Sequence, residues 1–107
     1  MYKICFFVPE THVDVVKIAL FEQGAGRVGE YEYCSWQVLG TGQFRPLAGS
    51  SPFIGELNQL TQVAEFKVEM VCDEAYIKAA IKALLLAHPY QQPAYEVYKI
   101  LSLKDFS

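Results

Sequence analysis

The stretch His88-Pro89-Tyr90-Gln91-Gln92-Pro93-Ala94-Tyr95-Glu96-Val97-Tyr98 decides how this chain is built, because a helix must end at it and a strand must begin inside it. Proline fixes φ and lacks an N–H, so Pro89 and Pro93 make the junction stiff, and Pro89 disfavours helical geometry at His88. Upstream, Ile77, Ala80, Ile81, Leu84 and Leu85 follow the i, i+3, i+4, i+7, i+8 spacing of one apolar stripe. Asp73 stands where a cap belongs, and Glu74 with Lys78 makes an i, i+4 pair in the favourable orientation. Downstream, Ala94 to Leu103 reads as a strand. Before the helix, Val63 to Cys72 alternates cleanly: Ala64, Phe66, Val68, Met70 and Cys72 share one face, Glu65, Lys67 and Glu69 the other. This half of the chain is β-α-β.

The other half repeats the order. Tyr2 to Val8 is a short run of aromatic and aliphatic residues that ends at Pro9, the pattern of a buried strand. Thr11 is placed to cap a helix over His12 to Gln23, with Asp14 as an acidic variant of the capping box. Val13, Val16 and Leu20 form one stripe of it, while Val15, Ile18 and Phe21 spread round the side, so more than one face calls for cover. Gly24, Gly26 and Gly29 then make a structural turn, and Glu30 to Val38 alternates as a second strand. From Leu39 to Leu60 periodicity fails. Glycines and prolines punctuate this segment, yet Phe44, Leu47, Phe53 and Ile54 are too apolar for a solvated linker, so it reads as an ordered arm. The expected fold is α+β: a ferredoxin-like β-α-β-β-α-β sandwich, with an antiparallel four-stranded sheet and both helices on one face. Residues 1–107 form a single domain in this reading.

Composition narrows the function classes. Hydrophobic residues make up 52% of the chain and charged residues 20%. A domain this small has too much surface for its volume to shelter that apolar area alone, which points to a subunit interface. The net charge of −3 and scattered Lys and Arg residues exclude a phosphate-binding stripe, so no nucleic acid is expected. No run approaches the roughly 18 apolar residues of a membrane span, and Met1-Tyr2-Lys3 leads straight into a strand without a signal peptide. Cys5, Cys34 and Cys72 are odd in number and far apart, as suits free thiols in a reducing cytoplasm.

Several motifs are carried in a fixed order: Phe7-Val8-Pro9-Glu10, Gly24-Ala25-Gly26 with Gly29, Tyr31 with Cys34-Ser35-Trp36, Gly40-Thr41-Gly42-Gln43-Phe44-Arg45-Pro46 and Pro52-Phe53-Ile54-Gly55. Glu65 and Glu69, His88-Pro89-Tyr90 and Pro93-Ala94-Tyr95 complete the set. Together they resemble the YqfO family, whose domain also occurs as an insert within larger Nif-three-like dinuclear-metal proteins. The resemblance implies a core similar to CutA and PII proteins, which commonly assemble as trimers. It does not imply the dinuclear metal centre, whose ligands belong to the flanking domain. Where the family often has a Glu pair after His-Pro-Tyr, this chain has Gln91 and Gln92, which weakens a cation site in that turn.

The residue-level chemistry is sparse. There is no Cys-x-x-Cys or His-x-x-x-His, and a mononuclear metal site would need His88 joined to Glu65 or Glu69 across strands or subunits. Cys34 has no neighbouring base to activate it as a nucleophile. Gly24-x-Gly26-x-x-Gly29 follows a helix instead of opening one, so it is a turn and not a dinucleotide site. Amides around Gly40 to Gly42 could cradle an anion with Arg45 as counter-charge, but the apolar content favours an arm anchored by Phe44 and Phe53 onto a neighbouring subunit. The sequence therefore favours a non-enzymatic, cytoplasmic homo-oligomer, trimeric by family likeness, that binds a small ligand or protein partner at subunit clefts. Tyr31, Arg45, Glu69, His88, Tyr90 and Tyr95 are the candidate cleft residues. No cofactor is expected, and a CutA-like protein binding a divalent metal ion is the alternative.

Overall fold

The computed structural model describes all 107 residues. Strand β1 spans Tyr2–Pro9, helix α1 Val13–Glu22, β2 Trp36–Phe44, β3 Thr61–Cys72, α2 Ile77–Ala87 and β4 Tyr95–Lys99. The strands form one sheet in the order β2-β3-β1-β4, every neighbouring pair antiparallel. This is the expected ferredoxin-like α+β arrangement. None of its helices is long and apolar enough to cross a membrane.

Register explains the core. Ile4 lies opposite Met70, Phe6 opposite Val68 and Tyr2 opposite Cys72, so these side chains share the face that meets the helices. Val13, Val16, Leu20 and Phe21 of α1 and Ala80 and Leu84 of α2 close over them in a single apolar cluster. Burying a side chain such as Phe6 or Leu84 completely is worth about 1.5–3 kcal/mol each. Cys5 pairs with Glu69 instead, so Cys5 and Cys72 point to opposite faces of the sheet. Burial raises both thiols above their ordinary pKa, so neither is poised as a thiolate.

Four local readings need correction. The second strand starts at Trp36, not Glu30, because Val28 bridges Tyr31 in a tight turn and Tyr33 takes φ +59°. Tyr33 stacks on Phe21 at 4.7 Å, so its alternation with Tyr31 reflects a folded turn and not a strand. Consequently Gly40 to Gly42 lie within β2 and the arm begins only after Phe44. Thr11 does not cap α1; its hydroxyl bonds His12 Nδ1 at 2.8 Å, and the helix has no side-chain cap. Asp73 Oδ1 accepts from the Ala75 N–H at 2.9 Å, which caps a turn ahead of α2. Glu74 therefore precedes the helix and faces the Met1 ammonium at 3.7 Å instead of Lys78. Finally, β4 stops at Lys99, and a 3-10 turn at Leu103–Asp105 follows with Ser102 and Asp105 as its capping box. The Ile100 N–H donates to the Met1 carbonyl at 3.2 Å.

The turn after α1 is glycine-dependent at one point above all. Gly26 has φ +78°, its N–H donates to the Val71 carbonyl at 2.7 Å, and an added Cβ would lie 2.7 Å from Phe21 and 2.8 Å from the Cys34 carbonyl. Gly29 has φ +55° but open space around it. Gly29→Ala is expected to cost about 1 kcal/mol, the left-handed penalty alone, and Gly26→Ala clearly more, about 2 kcal/mol or above. Urea denaturation of the two variants checks this, and equal losses would contradict it.

Candidate functional site

Pro89 ends α2 as its position requires: His88, the C-cap, has φ −69° and ψ 134°. That extended geometry turns the imidazole inward, where it is 6% exposed. Its Nδ1 accepts from the Tyr90 backbone N–H at 3.1 Å, and its Nε2 lies 2.7 Å from the Phe7 carbonyl. A carbonyl can only accept, so Nε2 carries the proton and the ring is neutral. Burial lowers the His88 pKa below 6.5; the Phe7 carbonyl and Glu65 oppose this shift and His12 adds to it. The ring thus fastens the end of α2 to β1 and holds the start of the turn.

Beyond the turn lies a cavity of about 480 Å³. Phe7 and Glu65 of the sheet, Tyr90, Gln91 and Gln92 of the turn, and Phe44, Arg45 and Phe53 of the arm line it among others. The arm closes over its own chain. Phe53 meets His12 edge-on at 5.4 Å and lies 6.4 Å from the Tyr90 ring, Ser51 N–H donates to Gln91 Oε1 at 2.9 Å, and Asn58 N–H donates to the Pro46 carbonyl at 2.6 Å. The Tyr90 hydroxyl is buried without a hydrogen-bond partner. Burial, and then the Glu65 carboxylate beside it, which is not in hydrogen-bonding geometry, push the phenol pKa well up, so the hydroxyl keeps its proton. A second cavity of about 340 Å³ opens on the other side of Glu65, between Lys67 and the Gly40–Gly42 segment.

The structure gathers only part of the expected set. Arg45 and Tyr90 line the larger cavity. His88 sits behind it as a brace for Tyr90. Tyr31 projects from the turn after α1, 75% exposed, and lines neither cavity. Glu69 pairs with Lys3 at 3.7 Å further along the sheet, and Tyr95 lies opposite Phe6, on the helix-facing side. Sequence reading weighed Glu65 as a metal ligand beside His88 and chose Glu69, on the same face of β3, for the cleft instead. The missing signal was Gly42 on the neighbouring strand, where an added Cβ would collide with the Glu65 carboxylate. The sheet, the turn and the arm of one chain line the cavity.

No protein-family model matches this sequence. A GTP cyclohydrolase 1 type 2 homolog of Halalkalibacterium halodurans is 42% identical over 100 residues, which is 94% of this chain and 27% of that protein. The Bacillus subtilis homolog is 40% identical over 98 residues, 92% of this chain and 26% of its own. A Bacillus cereus protein related to NIF3 superposes with a TM-score of 0.77 and 38% identity, over 91% of this chain and 24% of that one. The chain is a YqfO- and NIF3-related domain. It spans about a quarter of the length of those relatives. Its fold is also that of CutA: the Xylella fastidiosa protein gives a TM-score of 0.67 at 17% identity, over 98% of this chain and 88% of that one. The PII-like CutA of a Nostoc species gives 0.68 at 14%, over 99% and 89%.

His88 makes the stability of this NIF3-related domain depend on pH. Its folded pKa lies below the ordinary 6.5, so between those values the unfolded chain binds the extra proton. Stability should therefore be greatest above pH 6.5 and fall as the pH drops below it. Denaturation between pH 7.5 and about 5.5, above the range of ordinary carboxylates, should show this slope in the native sequence and lose it in His88→Asn. Equal slopes would contradict the assignment.

Proposed function

We propose that this domain is a non-enzymatic, homo-oligomeric binding or regulatory module that holds a small ligand beneath its arm. The buried, unpartnered Tyr90 hydroxyl at a cavity of about 480 Å³ carries the reading. An orphaned donor costs stability, about 1–3 kcal/mol, and a ligand acceptor would relieve that cost. The volume lies within the usual range for small-molecule sites, about 300–1,000 Å³. Support for the non-enzymatic part comes from the residues themselves: both buried thiols are raised in pKa, and both His88 nitrogens are engaged by backbone groups.

Association rests on shape. The chain exposes 7124 Å², against roughly 6,000 Å² for a compact monomer of its mass. Its radius of gyration is 15.3 Å, against about 13 Å for a compact domain of this length. Trp36 and Tyr98 stand exposed on the sheet face away from the helices, and Val15 and Ile18 on α1. Identical copies covering this surface, three of them by likeness to CutA, account for it. The relatives' name mentions GTP cyclohydrolase, but it belongs to proteins nearly four times the matched length, and the activity it names is not carried over here. The CutA of Archaeoglobus fulgidus is described as a divalent cation tolerance protein; here no three His, Cys, Asp or Glu side chains converge, and His88 has no lone pair left to coordinate. In this reading the module works in the cytoplasm, where its three unbonded cysteines stay reduced.

Light scattering is expected to give about three times the 12.1 kDa chain mass, and Trp36→Glu to reduce it. A monomer at micromolar concentration would remove the oligomer. In a thermal-shift screen of metabolites, a true ligand at 100 times its Kd should stabilise the fold by about 2.7 kcal/mol. Phe53→Ala should abolish that gain. Stabilisation indifferent to Phe53→Ala would move the site elsewhere.

A further inference from the structure

Glu65 is the one carboxylate lining the larger cavity, and no Lys or Arg forms a salt bridge with it. It is half-buried; the Tyr90 hydroxyl lies beside it, Lys67 stands two residues along the same face of β3, and Lys3 pairs with Glu69. Its placement is built in. On β3 it lies opposite Gly40, and its carboxylate occupies the space a Cβ at Gly42 would need. Gly42 has no positive φ, so its role here is room and not backbone freedom. The two cavities meet at Glu65 and Phe7. The rings of Phe7, Phe44, Phe53 and Tyr90 line the same cavity as the carboxylate, with Phe44 and Phe53 each 6.4 Å from Tyr90 and tilted at 47°.

A half-buried anion in a cavity lined by aromatic rings suits organic cations. The ring quadrupoles attract positive charge at their faces, and a carboxylate takes two parallel N–H bonds from an amidine-like edge. A divalent metal would need further donors, and no three gather here. We infer that the arm cavity takes a flat aromatic cation, of the amidinium or aminated-heterocycle class, with its paired N–H edge on Glu65 and its ring among Phe7, Phe44 and Phe53. This rests on the proposal that the cavity is the ligand site, and adds the chemistry of the occupant. Arg45 at the arm end of the cavity is the competing feature, since a guanidinium favours an anion.

Three isosteric probes separate the possibilities: benzamidine, benzamide and benzoate, titrated into the isotope-labelled protein while the backbone amides of Phe44, Gln91 and Gln92 are followed by NMR. Benzamidine is expected to bind at least tenfold more tightly than either of the others. Glu65→Gln, which preserves shape and removes charge, should erase that preference, with the rest of the spectrum unchanged as the check on folding. Gly42→Ala should weaken benzamidine by displacing the carboxylate. Benzoate binding best, or benzamidine binding equally to Glu65→Gln, overturns the cationic class and leaves the cavity as the site. Failure of all three probes to move these amides overturns both.

Discussion

One buried imidazole holds the working end of this fold together. His88 reaches β1 through the Phe7 carbonyl and the following turn through the Tyr90 N–H, so the distant first strand meets the helix end and its turn on a single neutral ring. Both nitrogens are used, and each use requires the other: Nδ1 can accept only if Nε2 carries the proton. Protonation would turn the acceptor into a donor facing the Tyr90 N–H, so one event would loosen the helix end, the turn and the cavity wall together. The two prolines on either side of the turn limit how far the backbone can yield.

The arm depends on that brace in turn. Its contacts with the body fall mostly on the turn and on the start of α1: Phe44 and Phe53 on Tyr90, Ser51 on Gln91, Phe53 on His12. Gln91 has a local role in this contact. Its amide oxygen accepts from the Ser51 N–H at 2.9 Å while the side chain remains uncharged against the largely apolar arm. With neutral amides in the turn, Glu65 and Arg45 are the cavity's charged side chains.

How much of this could be read in advance depended on whether the signal was local. The face assignment of β3 followed from alternation alone, and its register against β1 agrees residue by residue, Phe66, Val68 and Met70 inward. The α2 stripe placed Ala80 and Leu84 in the core in the same way, although Leu85 remains 45% exposed. β2 was harder, because Tyr31 and Tyr33 mimic strand alternation while Gly40 and Gly42 look like strand breakers. An edge strand tolerates both glycines, and a positive φ at Tyr33 carries no signature in a tyrosine. Of the cavity, Arg45 and Tyr90 were legible from unusual chemistry near prolines. Glu65 was not, since its placement depends on a glycine of the neighbouring strand β2 and on an arm folding back over its own chain. Tyr31, Glu69 and Tyr95 line neither of the two cavities of the single chain.

The bond between Met1 and Ile100 has a topological consequence. It brings the residue before β1 beside the residue that follows β4, across adjacent strands of the sheet. Such a unit can be spliced into a surface loop of an unrelated host with hardly any separation between entry and exit, so neither partner has to stretch or unfold to accommodate the graft. A body built this way is portable between larger architectures, which accords with relatives that carry its counterpart as about a quarter of their length.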